Sequence, residues 1–382
     1  MRSDGGDVEA VADGVGRRAL IGALGMGAAT VLAGARPATA ADPGPRPADG
    51  GRPVTRTLAA PGTDGTARPG FAVQTVGVRW PAHGRAGRLR FADRQGRWGT
   101  WQTVTPGCPA GAGDTGPATE QLALVTAPGA PAYELDLAGS ARAVALNGTD
   151  GPALAAAPAG TDGRTSLFGR AYLSRAAWGA DESLRFGAGG AEITPCSYWP
   201  VQGFTVHHTA TANDDPDPVA RMRSIYRYQA VDLGYGDFGY HLLIDEAGTV
   251  YEGRWSGGDV LPGFDPAGWM VNGAHVGGYN AGNVGVVLLG NFMQREPTAA
   301  ARHSLVLVLA GLAGWSRINP LASVGYVNPI SGLRRTVPAI AGHRDWGATE
   351  CPGDLLAGWL TGIRTDVAAV LSATDRRAAF AG

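Results

Sequence analysis

The first half of the chain alternates apolar and polar residues in short runs separated by Gly and Pro. These runs lie at 71–78, 89–91, 101–104, 121–125 and 133–137. A period of two places the apolar side chains on one face of a strand, so the pattern predicts short strands rather than helices. We therefore expect residues 71–150 to form a small all-β accessory domain of the sandwich type.

The second half mixes strand and helix periods. Apolar runs predict strands at 203–208, 240–244, 249–252 and 284–289, and the turn residues at 245–248 predict that the middle two form a hairpin. Helical spacing of apolar residues predicts helices from Asp217 to Gly234, from Pro297, and from Leu356 to Leu371. Residues 319–338 are expected to be a loop-rich insertion. Strands interleaved with helices predict an α/β domain over 170–372, with a mixed central β-sheet flanked by helices.

The remaining segments are poor in large apolar residues. Residues 41–70 are predicted to be a disordered linker, 151–169 a second linker and 373–382 a tail. Residues 1–40 contain Arg17-Arg18, a short Ala- and Gly-rich run, and an A-x-A sequence that ends at Ala40. This resembles a twin-arginine export signal, with an ordinary Sec signal as the alternative. We expect a secreted or cell-envelope protein without an integral membrane segment in the mature chain.

Composition narrows the class of partner. The 382-residue chain is 44% hydrophobic, which suits a soluble globular protein with a sizeable core. Its formal net charge is −1, so there is no overall basic field that would attract nucleic acid. We expect a monomer that does not bind nucleic acid.

Two candidate metal ligands lie eight residues apart, His343 and Cys351. Imidazole nitrogen and thiolate sulfur together suit Zn²⁺ better than Mg²⁺ or Ca²⁺. A third ligand must come from another histidine, and the candidates are His83, His207, His208, His241, His275 and His303. Neighbouring residues of a strand point to opposite faces, so at most one of His207 and His208 can reach the metal. Three protein ligands leave a fourth position for water, which is typical of catalytic zinc.

The chain has three cysteines. If Cys351 binds a metal, Cys108 and Cys196 remain, either as a disulfide or as two thiols.

Seven short blocks in a fixed order resemble the peptidoglycan recognition protein and type 2 N-acetylmuramoyl-L-alanine amidase family. The blocks are Trp178-Gly179-Ala180, Val206 to Ala210, Gly239-Tyr240-His241, Tyr251 to Arg254, Gly273 to Asn280, Gly285 to Phe292, and Gly342 to Asp345 with Cys351-Pro352-Gly353. The resemblance covers about residues 170–371 and nothing before them.

This resemblance implies an amidase fold with Zn²⁺ held by His207, His343 and Cys351, and with Tyr240 pointing at the reacting centre. The implied reaction is hydrolysis of the peptidoglycan amide between N-acetylmuramic acid and L-alanine. Thr349 occupies the position where related phage enzymes carry Lys, and we expect it to orient the attacking water. Glu350 is a candidate base that the family pattern does not support.

The same resemblance implies that His275, Tyr279 and Asn280 line the substrate groove. The alternative is that this Gly-rich stretch is a turn held by the Asn280 side chain. Asp345 or a backbone group is expected to hold the second nitrogen of a ligand imidazole.

Two other functions remain open. The first is a peptidoglycan-binding protein without catalysis, although family members that only bind lack the Cys ligand. The second is a surface adhesin that uses its β-domain and carries a structural metal.

Overall fold

The computed structural model describes residues 55–62, 64–107, 113–116, 119–153, 166–168, 170–257 and 261–380. The predicted export signal at 1–40 lies outside these residues. So does Cys108, and with it the choice between a disulfide to Cys196 and two thiols. The Cys196 thiol lies 3.6 Å from the Trp255 carbonyl oxygen.

Two four-stranded antiparallel sheets form the described part of the accessory unit. Their strand orders are β1-β8-β3-β6 and β2-β7-β4-β5. The bounds are Leu58–Gly62 (β1), Gly65–Ala67 (β2), Val73–Pro81 (β3), Gly87–Phe91 (β4), Gln102–Thr103 (β5), Glu120–Ala130 (β6), Tyr133–Leu137 (β7) and Arg142–Asn147 (β8). Alternate residues such as Val76, Val78, Leu89 and Tyr133 fill the core between them. The predicted all-β character of this unit is confirmed.

The structure corrects three predicted boundaries. A strand at Ser166–Leu167 lies within the predicted linker 151–169, and the last helix, Asp354–Phe380, continues into the predicted tail 373–382. Strands β1 and β2 fall within residues 41–70, which composition predicts to be a linker. They are edge strands built from small residues, and they are held by backbone pairing to β8 and β7 rather than by large apolar side chains. Composition therefore gives little sign of them.

The second unit is built on a seven-stranded mixed sheet, as counted over the described residues. Its order is β19-β12-β16-β13-β14-β10-β9. The bounds are Ser166–Leu167 (β9), Arg170–Leu173 (β10), Gly203–His208 (β12), Leu242–Ile244 (β13), Val250–Glu252 (β14), Asn283–Leu288 (β16) and Ile340–Gly342 (β19). Strands β19, β12, β16 and β13 run parallel, while β13 and β14 form the predicted antiparallel hairpin.

Helices cover both faces of this sheet. They are Arg175–Trp178 (α1), Pro218–Arg227 (α2), Ala299–Ser316 (α3) and Asp354–Phe380 (α4). The Asp217 side chain accepts a hydrogen bond from Ala220 N at 3.0 Å, and this cap starts α2 where the sequence predicts it. Helices α3 and α4 bury one face of the sheet and α2 packs on the other. The predicted mixed sheet with flanking helices is confirmed.

Two short antiparallel strand pairs complete the unit. Tyr198–Trp199 (β11) pairs with Met270–Val271 (β15), and Ser323–Val327 (β17) pairs with Arg334–Pro338 (β18). The second pair lies inside 319–338, so that segment is more regular than predicted.

Both long helices are apolar enough to cross a membrane by length and composition alone. For α3, 61% of the apolar window is buried inside the protein, and for α4 the figure is 28%. Their apolar residues form the core beneath the sheet, which accounts for the hydropathy.

The sandwich packs against α2 and the π-helical turn that follows it, Tyr228–Asp232. Val144 and Leu146 of β8 form a buried cluster with Tyr228. A Cβ atom added at Gly77 of β3 would lie 2.5 Å from the Tyr228 ring, so the backbone of β3 touches that ring directly. The sandwich therefore sits on the α2 side of the central sheet.

Candidate metal centre

Strand β12 separates the two adjacent histidines. Phe204 and Val206 belong to the core under α3 and α4, and His208 shares their face, with its Nδ1 accepting from Phe292 N at 3.3 Å. His207 points to the opposite face, the one that carries α2. The alternation along the strand thus confirms that only one of the pair reaches a given site.

Parallel pairing brings a second histidine to the same end of the sheet. Val206 of β12 pairs with Gly342, the last residue of β19, so His207 lies next to His343, the first residue after β19. Cys351 comes just before α4, and its Sγ lies 3.6 Å from His207 Nδ1. The ligand atoms of His207, His343 and Cys351 all lie within 4.8 Å of one another. The structure therefore brings together the three residues that the resemblance implies.

These three residues fit a metal ion. Nδ1 of His343 is buried without a hydrogen-bond partner, which is costly for an imidazole nitrogen unless another group uses its lone pair. All three side chains are nearly inaccessible, with exposed fractions of 0%, 3% and 0% for His207, His343 and Cys351. Imidazole and thiolate in this small volume are a soft donor set that could hold a divalent metal.

A chain of hydrogen bonds fixes which nitrogen His207 offers. His275 Nε2 lies 2.9 Å from the Asn283 carbonyl oxygen, which can only accept, so this nitrogen carries the proton. His275 Nδ1 is then the acceptor in its 3.0 Å contact with His207 Nε2. His207 must therefore be protonated on Nε2 and present the lone pair of Nδ1 towards Cys351. This is the arrangement that a metal-ligating imidazole requires.

His275 thus lies beneath the centre and is only 2% exposed, instead of lining an open groove. Burial is the main reason that its pKa falls well below the usual value, which keeps the ring neutral. The ring fits because Gly285 has no side chain: a Cβ atom there would lie 2.8 Å from the His275 ring. Sequence reasoning missed this positioning role. The second nitrogen of His207 is held by His275, whereas the Asp345 carboxylate accepts from Gly342 N at 2.8 Å.

The other candidate histidines have different surroundings. His241 is fully buried, with Nε2 donating to the Val271 carbonyl at 2.7 Å and Nδ1 accepting from Gly285 N at 2.9 Å. Burial is the main cause that lowers the pKa of His241 to about 4. His83 is exposed on the sandwich, and His303 is half-buried on α3. Within the described residues, none of these three belongs to the ligand group.

The three residues predicted to take part in catalysis differ in how close they lie to the ligand group. The Tyr240 ring centroid is 5.2 Å from that of His207. Thr349 Oγ1 accepts from Cys351 N at 3.1 Å, so it sits beside the thiolate position. Glu350 is exposed, and its backbone carbonyl accepts from Gly353 N at 2.8 Å. It is not part of the ligand group.

The Gly-rich loop after β15 is held by Asn280, as the turn alternative predicts. Its Oδ1 accepts from the backbone nitrogens of His275 and Val276, both at 2.8 Å. Tyr279 packs on Trp346 with ring centroids 5.4 Å apart. Asn280 N also donates to the carboxylate of Asp114, a sandwich residue, at 2.8 Å. Nothing in the sequence pattern indicates this contact.

Comparison with known proteins identifies the family of the second unit. The family model described as N-acetylmuramoyl-L-alanine amidase matches residues 197–354. Mouse peptidoglycan recognition protein 1 is 32% identical over 160 residues, which are 41% of this chain and 72% of that protein. The chain belongs to the family of peptidoglycan recognition proteins and N-acetylmuramoyl-L-alanine amidases. The family and the fold that the sequence resemblance implies are thereby confirmed.

Other members of the family are similar to parts of this chain. Human N-acetylmuramoyl-L-alanine amidase is 34% identical over 161 residues, which are 41% of this chain and 23% of that protein. The alignment thus spans under a quarter of the human protein. The crystal structure of Drosophila peptidoglycan recognition protein SD is similar over 50% of this chain and 92% of that chain, with 25% identity and a TM-score of 0.37.

We predict that His275→Ala weakens metal binding by this family member about 10- to 100-fold, because His207 loses the acceptor that orients its ring. Affinity is measured by competition with a chelator of known zinc affinity. The matched control is His303→Ala, a half-buried histidine on α3. Equal affinities of His275→Ala and the unaltered protein would show that His275 does not position His207.

A second prediction concerns acid stability of the metal-free protein. The pKa of His241 in the folded protein is about 4, below the ordinary histidine value of about 6.5, so the unfolded chain binds the extra proton as pH falls between these two values. This group alone removes about 3 kcal/mol of unfolding free energy between pH 7 and pH 4. His241→Asn should therefore show a shallower loss in urea unfolding over this interval. Identical pH dependence in both proteins would contradict the assignment.

Proposed function

We propose that this protein is a zinc-dependent amidase that hydrolyses the bond between N-acetylmuramic acid and L-alanine in peptidoglycan. The observation that carries the proposal is the ligand group of His207, His343 and Cys351, with no fourth Asp, Glu, Cys or His from the described residues. Structural zinc sites close their shell with four protein ligands, whereas catalytic sites keep one position for water or substrate.

In this proposal, the protein supplies orientation and charge around the ion. When bound, Zn²⁺ supplies Lewis-acid chemistry that polarises the amide carbonyl and makes water acidic enough to attack at neutral pH. His275 keeps the lone pair of His207 directed at the centre by accepting its Nε2 proton. The buried surroundings strengthen these electrostatic interactions.

We assign Tyr240 as the hydrogen-bond donor to the oxygen of the tetrahedral intermediate, because its ring lies beside that of His207. Loss of one such donor typically costs about 3 kcal/mol of transition-state stabilisation. Thr349 is proposed to orient the attacking water from its place next to Cys351. Glu350 is the weaker candidate for the base, since its side chain is exposed.

Tyr279 and Asn280 are proposed to border the substrate groove, with His275 beneath it. Peptidoglycan is the proposed partner, and the protein is proposed to act as a monomer outside the cytoplasm after export by the segment at 1–40. We propose 71–150 and 170–372 as the approximate limits of the two domains. The first is extended back to include β1 and β2, and the second is extended to include β9 and the end of α4.

The second candidate function is peptidoglycan binding without hydrolysis. The observation that favours it is burial: Tyr240 and the three ligands are at most 5% exposed. The presence of both Cys351 and Tyr240 favours the enzyme, because neither would be required for binding alone.

The test is incubation of the zinc-loaded full-length protein with purified cell wall, followed by mass spectrometry of released stem peptides. We expect peptides with a free L-alanine amino group, and we expect a chelator to abolish their release. Cys351→Ser should lose both zinc and hydrolysis while it still sediments with cell wall. The matched control is Cys196→Ser, since that thiol lies beside the Trp255 carbonyl.

Two results would count against the proposal. Release of peptides that is insensitive to chelator would exclude a metal mechanism. Cell-wall binding with no release under any metal condition would favour the binding-only function.

A further inference from the structure

A short loop of the sandwich inserts a carboxylate into the amidase unit. Asp114 is 7% exposed, although it lies between exposed neighbours in its own loop. Its Oδ2 accepts from Asn272 Nδ2 at 2.8 Å. Its Oδ1 accepts from Asn280 N at 2.8 Å, from Ala281 N at 3.1 Å and from Asn328 Nδ2 at 2.7 Å. We call these four donors the carboxylate cradle.

The neighbouring backbone of the loop extends the contact. The Gly113 carbonyl accepts from Gly278 N at 2.9 Å and from Asn280 Nδ2 at 3.1 Å. A Cβ atom added at Gly278 would lie 3.0 Å from the Gly116 carbonyl oxygen, so the two backbones are in direct contact. The loop at 113–116 therefore lies on the Gly-rich stretch that we assign to the substrate groove.

A second part of the sandwich contacts the segment that follows β12, the strand that carries His207. A Cβ atom added at Gly107 would lie 3.3 Å from Ala210 Cβ, just beyond the end of β12. Leu124 of β6 packs on the cluster that contains Tyr240. Between them, the cavity bordered by Gly107, Leu122 and Tyr240 has a volume of about 30 Å³. Ligand sites for molecules of drug size measure about 300–1,000 Å³, so the space between the sandwich and Tyr240 holds about one water.

The sandwich therefore meets the amidase unit in two regions. It contacts Ala210 and the cluster that contains Tyr240, and it contacts Asn272, Asn280 and Asn328 through Asp114. The second region includes the stretch that we propose to border the substrate groove, so the 113–116 loop covers that stretch.

We propose that the sandwich holds the amidase site closed, and that Asp114 in the carboxylate cradle is the contact that fastens it. This proposal rests on the proposed amidase function. It makes the protein a latent enzyme, in which the 113–116 loop has to leave the cradle before cell wall can enter.

The chemistry of the cradle suits a contact that can open. All four donors to the Asp114 carboxylate are neutral, two backbone amides and two side-chain amides. A buried carboxylate without a cationic partner loses much of its hydration energy. The four hydrogen bonds offset this cost but add little net stability to the contact. Release returns the charge to water.

The experiment compares the zinc-loaded full-length protein with Asp114→Ala by two measurements. The first is the rate at which zinc transfers to a chromogenic chelator, which depends on access to the centre and not on hydrolysis. The second is the rate of stem-peptide release from purified cell wall. We expect Asp114→Ala to raise both rates at least tenfold. Asn272→Ala removes a donor from the other side of the contact and should act in the same direction.

The matched control is Asp136→Ala, which removes an exposed sandwich carboxylate that pairs with Arg88 at 2.7 Å and should leave both rates unchanged. Circular dichroism confirms that each variant is folded. Faster zinc transfer without any peptide release would support the closed state and exclude the amidase. Peptide release with both rates unchanged in Asp114→Ala and Asn272→Ala would support the amidase and overturn the closed state. Unchanged zinc transfer without release would contradict both.

Discussion

The hydrogen bond between His207 and His275 is the interaction on which the metal centre depends. Without it, His207 could present either nitrogen to Cys351, and its ring could turn about the Cβ–Cγ bond. With it, the proton position follows from a single acceptor, the Asn283 carbonyl at the start of β16. The sheet backbone thus determines the tautomer of a side chain on the neighbouring strand.

The same hydrogen bond explains why several residues that are neither ligands nor candidate catalysts occupy their positions. Gly285 and Gly273 leave the volume that the His275 ring occupies, because a Cβ atom at either would lie within 2.8 Å of it. Asn280 fixes the backbone at His275 and Val276. The parallel pairing of β12 with β19 then delivers His343 to the same place. The loop around Asn280, the start of β16 and the end of β19 therefore meet at the His207 side chain.

The position of the sandwich bears on a second requirement of the site, which is access for the substrate. A catalytic centre needs a dry, preorganised environment, which burial supplies, and it also needs a route for a polymeric substrate. In the closed state that we propose, the sandwich contacts at Ala210 and Asn280 restrict the route for the polymer. The two units meet at the Asn280 loop as well as at Tyr228.

Local patterns were sufficient to predict much of this structure, because strand alternation and helix caps act over a few residues. Strand β12, the Asp217 cap and the separation of His207 from His208 all follow from such patterns. The position of His275 under the ligand, and the insertion of Asp114, depend on contacts between residues 68 and 166 positions apart. Strands β1 and β2 are held by partners rather than by their own composition. Such features require the assembled fold.

The most direct test of the central claim is X-ray absorption spectroscopy at the zinc edge of the zinc-loaded full-length protein. The account predicts one sulfur neighbour at about 2.3 Å and two imidazole nitrogens at about 2.0–2.1 Å, with one further light atom that does not come from the protein. A spectrum with two sulfur neighbours, or with none, would contradict it.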